Sequence, residues 1–112
     1  MTADDVRRYA LSLPGAIEQP HFDMASFRVG GKIFATLPPA DDVVHLFLTE
    51  SDRDIALDLH RAFVEVLTWG QRVAGVRVRL GRADARAVRD LIDCAWAGKA
   101  SKTLRATRNP GQ

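Results

Sequence analysis

Cysteine is nearly absent from this chain. Cys94 is the only one among 112 residues, so no internal disulfide can form and a reducing compartment, the cytoplasm, is the expectation. Long apolar runs are also lacking. None approaches the ~20 residues that a membrane-spanning helix needs, and Met1 to Arg8 is polar and charged and lacks the apolar core of a secretory leader. Aromatic residues make up only 7% of the sequence. Phe27, Phe34, Phe47 and Phe63 stand at positions suited to a core, which leaves few rings for stacking on bases. The three histidines, His21, His45 and His60, have no metal-ligand spacing and no partner cysteine nearby, so neither a metal nor another cofactor is expected. Paired catalytic carboxylates and a nucleophile elbow are missing as well, and no catalytic residue is nominated.

What is present suffices for one domain. Hydrophobic residues make up 46% of the chain, and a domain of this size buries roughly two-thirds of the surface its unfolded chain exposes. The net charge of +2 conceals an uneven distribution. Residues 1–58 hold five basic and ten acidic side chains, whereas residues 59–112 hold eleven basic and four acidic ones. An imbalance of that kind points to an anionic partner.

The periodicities place the elements. Thr2 caps a first helix, Asp5 completes an approximate capping box, and Val6, Tyr9, Ala10 and Leu13 form its inner face before Pro14-Gly15 ends it. Gly15 to Asp23 is predicted as a loop. Two alternating runs, Ala25 to Val29 and Lys32 to Leu37, flank Gly30-Gly31, a strong signal for a tight hairpin; Ile33, Ala35 and Leu37 are expected on one face. Asp41-Asp42 is placed in the turn that follows. Val43 to Leu48 is apolar on both faces, which suggests a central strand or one covered on both sides. A second helix, about 52–60, is expected to bury Ile55, Ala56 and Leu59. A short strand within 62–68 is ambiguous with a continuation of that helix. Gly75 to Leu80 is a clear strand with Arg77 and Arg79 on one side, and Asp84 caps a third helix with Val88, Leu91, Ile92 and Ala95 inward, ending at Gly98. The fold class is therefore α+β: an antiparallel sheet of four to five strands with three helices, in the order α-β-β-β-α-(β)-β-α. The domain covers 1–98, and 99–112 is a basic tail.

That order, the motif L-P-G-A-I-E followed by H-F and then S-F-R-V-G-G-K-I-F-A, and a terminal helix ending Cys94-Ala95-Trp96 before Lys99-Ala100 together resemble the MmcQ/YjbR family of small bacterial proteins. The resemblance extends over nearly the whole chain. One departure is the start of the late strand, where many members carry Gly-Trp-Val; here Ala74-Gly75-Val76 stands there and a tryptophan comes earlier, at Trp69. The resemblance implies a fold similar to frataxin-type sandwiches and to a double-wing DNA-binding domain, and with it DNA binding; with no catalytic constellation in the chain, a non-enzymatic domain that binds nucleic acid through its basic second half is the expectation.

Three basic features fit such a role. Arg77 and Arg79 form a comb on one strand face, with Arg72 and Arg82 at its ends, and Arg28 joins them if its strand is a neighbour. Lys32 follows the hairpin turn, where a wing would touch phosphate. Lys99, Lys102, Arg105 and Arg108 recur every three residues, with no acidic side chain from 99 onward. The expected nucleic-acid contacts are therefore Lys32, Arg77, Arg79, Lys99, Lys102 and Arg105. Two other readings stand beside this one. In the first, complementary acidic and basic surfaces dock a protein partner or a second copy. In the second, a small-ligand site lies near His21, Asp23 and the Gly15 loop. Cys94 reads as a small half-buried hydrophobe rather than a nucleophile.

Overall fold

The structure, a computed structural model, describes residues 1–40 and 42–108; Asp41 of the expected turn and residues 109–112 of the expected tail lie outside the described residues. Ten elements follow one another: α1 (Ala3–Ser12), β1 (Ile17–His21), β2 (Met24–Val29), β3 (Lys32–Leu37), β4 (Val43–Leu46), α2 (Glu50–Leu59), β5 (Val64–Trp69), β6 (Arg72–Arg79), α3 (Ala85–Lys99) and α4 (Lys102–Arg108). The strands form one sheet in the order β1-β2-β3-β4-β6-β5, and every neighbouring pair is antiparallel. The α+β class stands, with six strands and four helices in place of four to five and three.

The extra strand is β1, in the segment predicted as a loop. Its first four residues are exposed, and it pairs on one side only, with β2. An edge strand needs neither an apolar face nor a full ladder. It can therefore hold Glu18 and Gln19, and even Pro20, whose missing N–H is harmless at an edge. β5 resolves the ambiguous segment 62–68 as strand, and β6 begins at Arg72, three residues before the predicted start.

Thr2, Asp5 and Asp84 cap their helices as the sequence suggests. Thr2 and Asp5 make a reciprocal capping box at α1, Thr49 caps α2, and Asp84 accepts from the backbone of Arg86 and Ala87 at α3. Gly30 and Gly31 both have positive φ, 58° and 79°, as a two-residue turn matched to strand twist requires. The β1–β2 hairpin is less comfortable. Its turn starts at Phe22, which has φ 57° and a side chain 90% exposed. Glycine meets that backbone without strain, so Phe22→Gly is expected to raise stability by about 1 kcal/mol, seen as a higher urea midpoint at unchanged slope.

One face of the sheet is covered by helices. Phe27, Val29, Phe34, Ala35, Val44, Leu46, Val76 and Val78 form a continuous core with Val6 and Ala10 of α1, Ala56 of α2, and Val88, Leu91, Ile92, Ala95 and Trp96 of α3. β4 is central, between β3 and β6, as its two apolar faces predicted. Two expectations about faces are corrected. Phe34 is an extra residue opposite the Phe27/Arg28 step, and this bulge turns Ile33 away from the face that carries Ala35. On α2 only Ala56 is buried; Ile55 and Leu59 are 54% and 67% exposed. α2 packs on β5 and β6 at the margin of the sheet, and the flank that carries Ile55 and Leu59 faces largely into solvent.

Candidate nucleic-acid interface

The register fixes what lies on the face opposite the helices. Gln19, Ser26, Thr36, His45, Arg77 and Glu65 are successive cross-strand partners, so one polar row crosses all six strands. Hydrogen bonds tie parts of this row. Ser26 Oγ donates to Gln19 O (2.6 Å), Arg28 Nε donates to Ser26 Oγ (3.3 Å), and Thr36 Oγ1 lies 3.3 Å from His45 Nδ1. Ser26 and Thr36 are wholly buried, and these bonds satisfy hydroxyls that burial would otherwise leave without water.

At the β5–β6 end of the row, two guanidinium groups share one carboxylate. Arg79 Nη2 is 3.2 Å from Glu65 Oε1, and Arg77 Nε is 3.4 Å from the same oxygen. The Arg77 Nε atom is buried and this ion pair does not have hydrogen-bond geometry. Glu65 is the single acid among the strand residues of this face, against Arg28, Arg72, Arg77 and Arg79. Beside the pair, Arg77, Arg79 and Arg82 line a recess of about 280 Å³, with Asp42 and Gly81 completing its wall. An anion entering there meets three guanidinium groups, two of which share the Glu65 carboxylate, together with the Asp42 side chain on the wall.

The other expected contacts lie elsewhere. Lys32 pairs with Val29, a core residue, and so projects on the helix side at the tip of the β2–β3 hairpin. Arg79 pairs with Val43 at the opposite end of the sheet, on the order of 15 Å away along the strands alone. Lys99 ends α3, and the helix breaks at Ala100, whose backbone is extended. The spacing of three therefore does not produce a single basic stripe. Arg105 Nη1 donates to Ala97 O and Ala100 O at 3.1 and 2.8 Å, closing the C-terminus of α3. Arg108 is bound inward, to Asp93 Oδ1 (3.0 Å) and Tyr9 Oη (3.2 Å), with its guanidinium 5.9 Å above the Trp96 ring. Burial, and then Asp93, push the Tyr9 hydroxyl pKa up, so Tyr9 stays protonated and donates to Asp93 (2.6 Å). Leu104 packs on the core close to Gly15 and Val29, which places α4 beside the hairpin that carries Lys32. The six residues thus form two groups. Arg77 and Arg79 lie on the open sheet face, while Lys32, Lys99, Lys102 and Arg105 lie on the helix side.

Trp69 escaped the sequence reading of this surface, and Arg28 entered it only on the condition that its strand neighbours β6. Arg28 joins the face although two strands separate it from β6, because alternation, not adjacency, sets the face. Trp69 pairs with Arg72, lies 5.4 Å from Phe47 and is 50% exposed. Its signal was present as a tryptophan directly before Gly70, the turn residue of the β5–β6 hairpin.

The alternative site around His21 is poorly formed. An open recess of about 560 Å³ nearby is lined by Glu18, Gln19, Pro20, Phe22, Asp23, Met24 and Ala25 but not by His21, whose ring packs edge-on against Phe22. Burial pushes the Cys94 thiol pKa up, and Asp52, Asp93 and Asp90 add to the shift, which disfavours the thiolate a nucleophile needs. Among the described residues no group of three His, Cys, Asp or Glu side chains is arranged to hold a metal, and no helix is long and apolar enough to cross a membrane.

A six-stranded antiparallel sheet with its helices on one side and a polar row on the other defines a two-layer α+β domain. The chain belongs to the YjbR family, whose profile matches residues 11–97. Its fold is similar to that of the crystal structure of Deinococcus radiodurans protein DR2400, which carries a DUF419 domain. The TM-score is 0.73 at 19% identity, over 96% of this chain and 88% of the other. Among curated proteins none matches this chain.

Proposed function

We propose that this domain is a non-enzymatic nucleic-acid-binding module, which grips the sugar-phosphate backbone with the open face of its sheet and reads no base sequence. The observation that carries this reading is the Arg77–Glu65–Arg79 cluster, where two guanidinium groups share one carboxylate beside a recess that Arg82 also lines. Arginine forks suit phosphate oxygens, and the polar row holds the strand that presents them. Arg28 and Arg72 extend the positive surface. The double-wing likeness of the family agrees with this role, and the lone Cys94 suits a reducing cytoplasm. Lys32, Lys99, Lys102 and Arg105 form a second, smaller basic region on the helix side, which a bending or wrapping strand would reach.

Fluorescence anisotropy with a labelled random-sequence duplex tests the proposal. Micromolar binding near 50 mM salt is expected, with log affinity falling linearly against log salt as condensed counterions are released. Absence of binding at that salt would overturn it. A protein-interaction module is the second reading, favoured by the exposed Ile55 and Leu59 on α2 and Val66 on the adjacent edge strand. Salt-insensitive association with a protein partner would support that reading instead.

A further inference from the structure

We infer that the open face is built for a single strand, with Trp69 as the platform on which a base stacks; this rests on the phosphate-binding reading above. Trp69 ends β5, an edge strand, with half its surface in solvent. Phe47 backs the indole at 5.4 Å although β6 runs between their two strands. Gly75, the partner of Leu67 on β6, lies beside Phe47 and carries no side chain. The result is an exposed indole with a second ring beside it. Arg72 is the direct cross-strand partner of Trp69, while Arg77 and Arg79 stand further along β6, so the cations extend on the order of 20 Å along the strand from the indole. That is the arrangement of a single-strand groove: an aromatic ring for a base face, with basic groups tracking the backbone.

The shape of the face points the same way. A duplex is read by an element that protrudes into a groove, whereas this face is an open sheet whose long side chains lie across it. A single strand can lie flat on it with its bases turned towards the ring. Because every base has a π-face, stacking adds affinity without sequence preference.

The test uses a labelled oligothymidylate and a duplex of equal length at the same low salt. Trp96 is 1% exposed and its indole N–H is bonded to Pro14 O at 2.9 Å, so a change in tryptophan emission reports Trp69. The oligothymidylate is expected to bind at least as tightly as the duplex and to quench that emission. Trp69→Ala should weaken oligothymidylate binding about tenfold or more, Trp69→Phe should retain most of it, and duplex binding should change little in either variant. Unchanged emission, with Trp69→Ala binding oligothymidylate like the parent, would overturn the stacking role; if the duplex still bound in a salt-dependent manner, the phosphate reading would survive. Failure of both probes to bind would overturn both.

Discussion

Gly75→Val is expected to prevent folding, and Gly75→Ala to lower stability by at least about 2 kcal/mol, an overpacking effect at the severe end of its range. A Cβ on Gly75 would lie 2.3 Å from the carbonyl oxygen of Leu46 and 3.4 Å from the Phe47 Cα. Both are backbone atoms, one of β4 and one of the residue that follows it, so no side chain can rotate away to make room. Relief would require β4 and β6 to separate, at the centre of the sheet where Leu46 pairs with Val76 and Val44 with Val78. The effect is steric and not a matter of special backbone conformation, since Gly75 is not among the glycines with positive φ. Gly98 provides the control. It lies within α3, and its nearest neighbour is Thr49 Cγ2 at 3.4 Å, the end of a side chain. Gly98→Ala should be neutral or gain up to about 1 kcal/mol from helix propensity. Urea unfolding followed by far-UV circular dichroism measures both; a Gly75→Ala midpoint equal to that of the parent would contradict this packing.

Trp96→Ala is expected to lower stability by about 3–5 kcal/mol, much of the 5–15 kcal/mol that a domain possesses. Trp96 is the largest fully buried side chain. It joins three parts of the chain: its own helix α3, the turn after α1 through the bond from its indole N–H to Pro14 O, and α4 through the Arg108 guanidinium above its ring. Trp96→Phe separates these contributions. It keeps most of the apolar volume but removes the donor, leaving the Pro14 carbonyl without this partner, and should destabilise by about 1–3 kcal/mol. The same variant should loosen α4, detected as faster amide exchange over residues 102–108 than over α3. Equal thermal midpoints for parent and Trp96→Phe would contradict the assigned bond.

These two residues also mark what the sequence could convey. Trp96 adjoins a helical apolar series, Val88, Leu91, Ile92 and Ala95, whose period is visible in the chain, and the cap at Asp84 and the Gly30-Gly31 turn are local signals of the same kind. Gly75 is not legible in that way, because the reason for a glycine there is the carbonyl of Leu46, brought close only by sheet order. β1 was missed because an edge strand can be polar and can contain Pro20. The inward placement of Ile55 and Leu59 failed because helical periodicity identifies a stripe but not whether a neighbour covers it. The site was legible by halves. Alternation along β6 put Arg77 and Arg79 together, but Glu65, which sits between their charges, comes from a strand whose existence was ambiguous. The three-residue spacing of Lys99, Lys102 and Arg105 suggested a stripe that the break at Ala100 divides.

The central claim is that the open sheet face, and not the helix side, holds the phosphate backbone. The most direct test is the slope of log affinity against log salt for three forms of the protein: the parent, Arg77→Ala with Arg79→Ala, and Lys99→Ala with Lys102→Ala. Each phosphate contact contributes about 0.9 to that slope. The arginine double variant should therefore lose about 2 units and bind weakly across all sequences, while the lysine double variant should lose less than 1. A slope unchanged in the arginine variant but reduced in the lysine variant would contradict the account and move the interface to α3, α4 and the Lys32 hairpin.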